Sequence, residues 1–281
     1  MPEGHALHRL ARRQQQQFGG QRLQVSSPQG RFGPEAALLD GLVFRAADAW
    51  GKHLIYTFGG PEPDPDEAGS RPARTAAPRL VHIHLGIYGA FTEEDLPMPE
   101  PTGQVRLRMV GDTMGLDLRG PNACELYTPH DLEALIGRLG PDPLRADADP
   151  GRAQAAIARS RRPIGSLLMD QKVIAGVGNI YRAEVLFRAG IDPLRPGTSV
   201  TGAEFEEIWA DLLALMPVGV EHGRIHVIRP EHDHGAPAYA PDRPRTYVYR
   251  RAGEPCRVCG APIAWRELEG RNLFWCPGCQ K

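Results

Sequence analysis

The sequence of 281 residues has no unbroken apolar run of about eighteen residues, which argues against a membrane-spanning helix. Its opening, Met1-Pro2-Glu3-Gly4-His5, lacks the basic segment of a secretory signal peptide. It has almost no lysine: of 33 basic residues only Lys52, Lys172 and Lys281 are not arginine. It has little net charge, −1 overall, so bulk electrostatics gives no signal for a polyanionic partner. These absences point to a cytoplasmic protein, and in that reducing setting the five cysteines read as metal ligands rather than disulfides. The 41% hydrophobic content is enough for one large or two medium domains. A chain that uses Arg wherever charge suffices keeps Lys where a transferable proton is useful, which draws attention to Lys52 and Lys172.

The distribution of charge says more than its sum. Residues 243–281 hold seven Arg and one Lys against three Glu, a local +5. The first helix candidate is rich in Arg and Gln, whereas 59–100 leans acidic. Leu7, Leu10 and Ala11 recur at helical spacing, predicting an amphipathic helix over 7–17. Strands are predicted at Leu42–Ala46, Leu54–Phe58, Leu80–Leu85, Val105–Val110 and Leu116–Arg119, separated by Gly/Pro breaks. Pro61–Pro78 lacks apolar periodicity and reads as an insertion between strands. Helices follow at Asp131–Leu139, Arg152–Ser160, Ile164–Met169, Ile180–Ala189 and Gly202–Met216, the last capped by Thr201. The fold class expected is α+β: a sandwich-like domain over 2–128, a helical domain over 129–222, a Pro/His/Asp-rich loop over 223–244, and a terminal module over 245–281.

The terminal module carries the most specific motif. Cys256-x-x-Cys259 and Cys276-x-x-Cys279, sixteen residues apart, suit four thiolates on one tetrahedral zinc. Four thiolates leave no open coordination position, so this zinc is structural. Arg271 falls where the intervening β-hairpin would turn and can grip a phosphate there. The run Gln171-Lys172-Val173-Ile174-Ala175-Gly176-Val177-Gly178-Asn179-Ile180-Tyr181 reads as glycines between two helices, with exposed backbone N–H groups forming a phosphate nest and Asn179 adding a donor. Pro2, once Met1 is removed, is a secondary amine able to attack a sugar carbon, and Glu3 beside it can move protons. Lys52, in Trp50-Gly51-Lys52-His53-Leu54, sits at the start of a strand and suits phosphate or proton-transfer work. His82 and His84 share one strand face and read as packing residues, His232 and His234 as solvated loop residues.

Together these stretches resemble the formamidopyrimidine-DNA glycosylase and endonuclease VIII family. The matching segments, in order, are Pro2-Glu3-Gly4, Gly51-Lys52-His53-Leu54, His84-Leu85-Gly86-Ile87-Tyr88-Gly89, Gly176 to Tyr181, and Arg271 with Phe274-Trp275-Cys276-Pro277-Gly278-Cys279-Gln280. The resemblance implies a β-sandwich with an N-terminal helix, a helix-two-turns-helix domain and a zinc finger, acting as a monomer on damaged double- or single-stranded DNA near the nucleoid. It implies a bifunctional glycosylase and abasic-site lyase: Pro2 as Schiff-base nucleophile, Glu3 as acid, Lys52 in β-elimination and Arg271 in δ-elimination. DNA contacts are expected from Asn179, Lys172, Gly178 and Tyr181, and the flipped base leaves a void for Ile87 and Tyr88.

Two departures narrow the reading. His5-Ala6 stands where the family commonly has Pro-Glu, and Gly120-Pro121-Asn122-Ala123 stands where the formamidopyrimidine branch has Arg-Arg-Phe-Gly. The second favours the endonuclease VIII branch and oxidised pyrimidines, although that branch often has Gln where Gly86 stands. The competing readings are an 8-oxoguanine glycosylase of the same fold, a non-catalytic damaged-DNA-binding paralogue, and a zinc-ribbon subunit of an RNA assembly.

Overall fold

The computed structural model describes residues 2–59, 77–235 and 245–281. The expected insertion at 61–78, except Ala77 and Pro78, and the 236–244 part of the expected loop lie outside the described residues. Among the described residues no helix is long and apolar enough to cross a membrane. The chain divides into two compact units, Met1–Pro2 with Leu7–Gly137, and Glu3–Ala6 with Arg138–Lys281.

The first unit holds two four-stranded antiparallel sheets. One contains β1 (Gln24–Ser26), β6 (Val105–Val110), β7 (Met114–Arg119) and β5 (Ala90–Asp95), in that order. The other runs β2 (Val43–Trp50), β3 (His53–Gly59), β4 (Arg79–His84), β8 (Ala123–Tyr127). Alternating burial in β6 puts Val105, Leu107 and Met109 inside. Helix α1 (Gly4–Phe18) buries Leu7, Ala11, Gln14 and Phe18 along one face. Phe44 packs edge-on against Phe18, Tyr56 and Phe58. The buried hydroxyl of Tyr56 donates to Gln14 Oε1 at 2.6 Å, satisfying a polar atom that the core otherwise leaves dry.

Four elements of this unit escape the period-2 and period-3.6 patterns. They are β1, the seven-residue α2 (Gly33–Leu39), β5 and β8. Strand β5 is half acidic because it lies at a sheet edge; its Glu93 accepts from Gln17 Nε2 at 2.8 Å and pairs with Arg13. Helix α3 (Pro129–Arg138) is grouped by sequence with the later helices, but Leu135 and Leu132 pack with Ile55, Leu80 and Tyr127 of the sheet.

In the second unit, α4 (Pro150–Ala158), α5 (Ile164–Leu167), α6 (Asn179–Arg188) and α7 (Gly202–His222) enclose one core with the cysteine module. Asp149 caps α4 by accepting from Gly151 N at 2.9 Å. Thr201 caps α7, as the sequence predicts, and the structure adds a reciprocal box with Glu204. The expected end of α7 at Met216 is corrected: the helix runs through Pro217 to His222 and stops at Gly223, which has φ +68°. Proline costs one helical hydrogen bond, and burial of Met216, Gly219 and Val220 offsets that loss. His232 is not free in its loop; its ring nitrogen lies 3.0 Å from the Tyr247 hydroxyl.

Candidate nucleic-acid interface and active site

Helix α6 organises the second unit. Its first turn presents backbone N–H groups, and the anion that occupies them is a side chain of the same chain. Glu3 is 2% exposed, and its carboxylate accepts from Ile180 N at 2.7 Å, Gly178 N at 3.0 Å and Tyr181 N at 3.3 Å. A helix N-terminus favours negative charge for electrostatic reasons, so this seat both buries and compensates the carboxylate. The expected open phosphate nest is thereby corrected. Gly178 and Tyr181 are buried, so neither presents a surface to DNA. Nor do the glycines directly end a helix; α5 stops at Leu167 and an irregular segment leads to Gly178. The absence of a side chain at Gly178 serves Glu3: a β-carbon there would lie 2.4 Å from Glu3 Cδ.

The irregular segment is held from inside by Gln171. Its amide accepts from Gly176 N at 2.9 Å and donates to Val177 O at 2.9 Å and Met169 O at 3.1 Å. Gly4 N donates to Gly176 O at 2.8 Å, fixing the backbone just after Glu3. His5 is buried edge-on against Tyr181 at 5.5 Å, with burial and Glu3's charge both raising the Tyr181 phenol well above its ordinary range. Lys172 is exposed on this segment. Asn179 is half-buried; its Nδ2 donates to Asn272 O at 3.0 Å and its Oδ1 accepts from Arg182. Arg182 is fully buried and also donates to Gly165 O at 3.2 Å. Sequence reasoning misses both Arg182 and Gln171. The available signal for Arg182 is its position one helical turn after Asn179.

The same helix anchors the terminal module. Glu184 is fully buried and accepts from Tyr247 N, Val248 N and Tyr249 N at 2.7, 3.0 and 2.8 Å. The sulfurs of Cys256, Cys259, Cys276 and Cys279 all lie within 4.8 Å of one another. Cys256 to Cys279 is 3.8 Å and Cys259 to Cys276 is 3.4 Å. A tetrahedral zinc with bonds of ~2.3 Å puts its sulfurs about 3.8 Å apart, so the four thiolates fit that ion. Between the knuckles, β9 (Ala264–Leu268) and β10 (Arg271–Trp275) form the hairpin, and Arg271 is the first residue of the return strand. The structure thus brings Glu3, Gly178, Asn179, Tyr181 and, through Asn272, the Arg271 hairpin around one helix end.

In the first unit, Lys52 is half-buried in a two-residue turn with Gly51, between the paired residues Trp50 and His53. Gly51 has φ +58°, the conformation such a turn needs at its first position. His84 is held below its ordinary pKa, first by burial and then by the charge of Lys52. His82 is buried, stacks on Tyr127 at 4.4 Å and shares a ring-nitrogen hydrogen bond of 2.9 Å with His53, a structural role within the sheet. Pro2 is half-buried. Ile87 and Tyr88, on the turn after β4, are 49% and 83% exposed. Beside them Gly86 has φ +67°, and a β-carbon on it would lie 2.2 Å from Asn122 Oδ1. The exposed side chain of Asn122 therefore fills the space that a larger residue at position 86 would need.

Residues 139–229 match the formamidopyrimidine-DNA glycosylase H2TH domain, and 253–281 match the zinc finger found in FPG and IleRS. The chain is 57% identical over 285 aligned residues to endonuclease 8 1 of Mycobacterium tuberculosis, with all of both chains covered. It is 38% identical over 204 residues to the formamidopyrimidine-DNA glycosylase of Methylococcus capsulatus, covering 70% of this chain and 74% of that one. Its fold superposes on the crystal structure of MutM (Fpg) from Thermus thermophilus with TM-score 0.73 and 30% identity, over 99% and 98% of the two chains. It also superposes on Lactococcus lactis Fpg, solved with DNA containing an abasic site, with TM-score 0.76 and 20% identity over 99% of both chains. A chain with these segments in this order, this zinc module and a full-length relative at this identity belongs to the formamidopyrimidine-DNA glycosylase and endonuclease VIII family.

Proposed function

We propose that this chain is a base-excision-repair DNA glycosylase with abasic-site lyase activity, using the amine of Pro2 as nucleophile. The observation that carries the reading is the seat of Glu3: a carboxylate adjacent to Pro2 in sequence, buried and fixed by three backbone N–H groups. Burying a carboxylate there has a desolvation cost. The reaction gives that placement a purpose.

With Met1 removed, the Pro2 nitrogen attacks C1′ of the damaged nucleoside. The bond from C1′ to the base breaks and the base departs with the bonding electrons. The attacking nitrogen loses its proton to Glu3, which passes it to the ring oxygen O4′ as the sugar opens. The product is an iminium, needing no further proton loss from nitrogen because proline is a secondary amine. Loss of a C2′ proton then expels the 3′ phosphate, with Lys52 assisting. A second elimination expels the 5′ phosphate, with the guanidinium of Arg271 stabilising the leaving charge. Lys172 and Asn179 hold phosphates, for which Asn179 must release Asn272 O. The zinc, when bound, closes the hairpin that carries Arg271. Ile87 and Tyr88 fill the void left by the extruded base.

Oxidised pyrimidines are the proposed substrates and the protein acts alone, without a second copy. Two observations support the pyrimidine branch: the replacement of Arg-Arg-Phe-Gly by Gly120-Pro121-Asn122-Ala123, and full-length relatives named endonuclease 8 at 57% identity. Borohydride trapping on abasic-site DNA tests the nucleophile. A covalent adduct with wild type that vanishes in Pro2→Gly is expected; no wild-type adduct ends the catalytic reading. Paired cleavage of dihydrouracil or thymine glycol duplexes against 8-oxoguanine opposite cytosine tests the branch.

A further inference from the structure

The hairpin of the zinc module turns in two residues. Leu268 pairs with Arg271, leaving only Glu269 and Gly270 between the strands. Both have positive φ, +51° and +70°. Turns of this kind match the twist of antiparallel strands, and they favour Asn, Asp or Gly at the first position. A β-carbon carries a steric penalty in the left-handed region, which the short side chains of Asn and Asp offset by local hydrogen bonds that glutamate is too long to make. Glutamate is therefore a poor choice for forming the turn, and an outlier of this kind directs attention to function.

Its carboxylate meets a partner 107 residues away: Arg162 Nη2 donates to both oxygens, at 3.2 and 3.1 Å. The same guanidinium donates through Nη1 to Asp170 at 2.9 Å, and Asp170 holds the N–H of Lys172 at 3.0 Å. On the other side of the turn Asn179 holds Asn272 O. The residues flanking Arg271 are thus tied to both ends of the segment that leads into α6. The side chain of Arg271 itself makes no hydrogen bond or ion pair among the described residues. Both partners of the Arg162–Glu269 pair are about half exposed, 45% and 51% for the side chains, and such pairs add little to stability. Stability therefore does not account for a strained glutamate here.

We propose that Arg162 and Glu269 are positioning residues, an ionic latch that fixes the hairpin tip so that Arg271 is presented to the DNA for the second elimination. The inference rests on the role given to Arg271 above.

The test uses the full-length, zinc-loaded protein in single turnover on abasic-site duplex, resolving β from β,δ products. Glu269→Asn keeps a good turn residue and removes the latch. It is expected to lower the δ-to-β ratio about tenfold, as loss of alignment does, with zinc content and melting temperature at or above wild type. Arg162→Ala is expected to lower the ratio similarly, and the charge-swapped double variant R162E/E269R to recover part of it. A normal ratio in E269N, with a reduced one in Arg271→Ala, overturns the latch alone. A normal ratio in R271A overturns the role of Arg271 and the inference with it. Loss of zinc from E269N overturns the claim that glutamate is unfavourable for the turn.

Discussion

The carboxylate of Glu3 takes a backbone N–H from Gly178 at 3.0 Å, 175 residues along the chain. That contact ties the residue next to the proposed nucleophile to the start of α6. Gly178 has φ −124°, so alanine is conformationally allowed there. Its β-carbon, however, would fall 2.4 Å from Glu3 Cδ. Gly178→Ala is expected to displace the carboxylate without unfolding the unit. Base excision should fall about 10²-fold, the lower range for losing a positioned proton-transfer group. Glu3→Gln should show a comparable loss. Single-turnover excision with far-UV circular dichroism checks both; normal excision by the alanine variant would separate Glu3 from the chemistry.

The zinc module admits a sharper separation of roles. Cys276 is fully buried and lies 3.4 Å from Cys259. Cys276→Ser removes one thiolate from a four-thiolate site and is expected to release the metal. The hairpin bearing Arg271 and Asn272 then loses its closure, and affinity for abasic-site duplex should drop about tenfold or more. The remaining binding should fall steeply with salt, as phosphate contacts do. The strand signal of the first unit should persist. Metal analysis and fluorescence anisotropy read these directly, and a zinc-free variant that binds normally rules out the finger as a DNA contact.

The exposed turn after β4 makes a different prediction. Tyr88 is 83% exposed and touches little within its unit, so Tyr88→Ala should leave the melting temperature unchanged. If its ring fills a void in DNA, preference for a lesion-bearing duplex over an intact one should fall about tenfold, the scale of one lost aromatic–base contact. Gly86→Gln should act on the same surface by another route. Its side chain must evict Asn122, and its φ of +67° strains any residue with a β-carbon. Lower stability together with a changed opposite-base preference is expected. An opposite-base preference unchanged from wild type would mean that this surface does not face the opposite base.

What is legible in the sequence follows from the range of its signals. The cysteine spacing encodes a local constraint, and the four sulfurs converge as the motif predicts. Strand β6 alternates cleanly, β3 is buried through Leu54, Ile55 and Tyr56, and both fall within a residue of their expected bounds. Strand β5 does not stand out because an edge strand satisfies its acidic side chains with α1 rather than a core. The open phosphate nest fails for a long-range reason. Glycines before a helix do mark an anion seat, but nothing local shows that Glu3 already fills it. Arg182, Glu184 and Glu269 share that character: charged residues that read as surface, whose partners lie on distant segments.

Acid should expose the cap of α7. Glu204 is pulled down to about 2, first by the hydrogen bond from Arg195 and then by the N–H and hydroxyl of Thr201. An unfolded glutamate titrates near ~4.3. The folded state therefore binds its proton less readily, and the stabilisation is complete above the unfolded value. It is lost progressively as pH falls below about 4 and through about 2, and is gone only below that, where both states are protonated. Because cap and ion pair face water, the contribution is about 1 kcal/mol rather than the full shift. Glu204→Gln should melt about 2–4 °C below wild type at pH 6. The two melting curves should draw together as pH falls through about 2 and meet below it. A gap that stays constant across that range would mean Glu204 acts through packing and not through its charge.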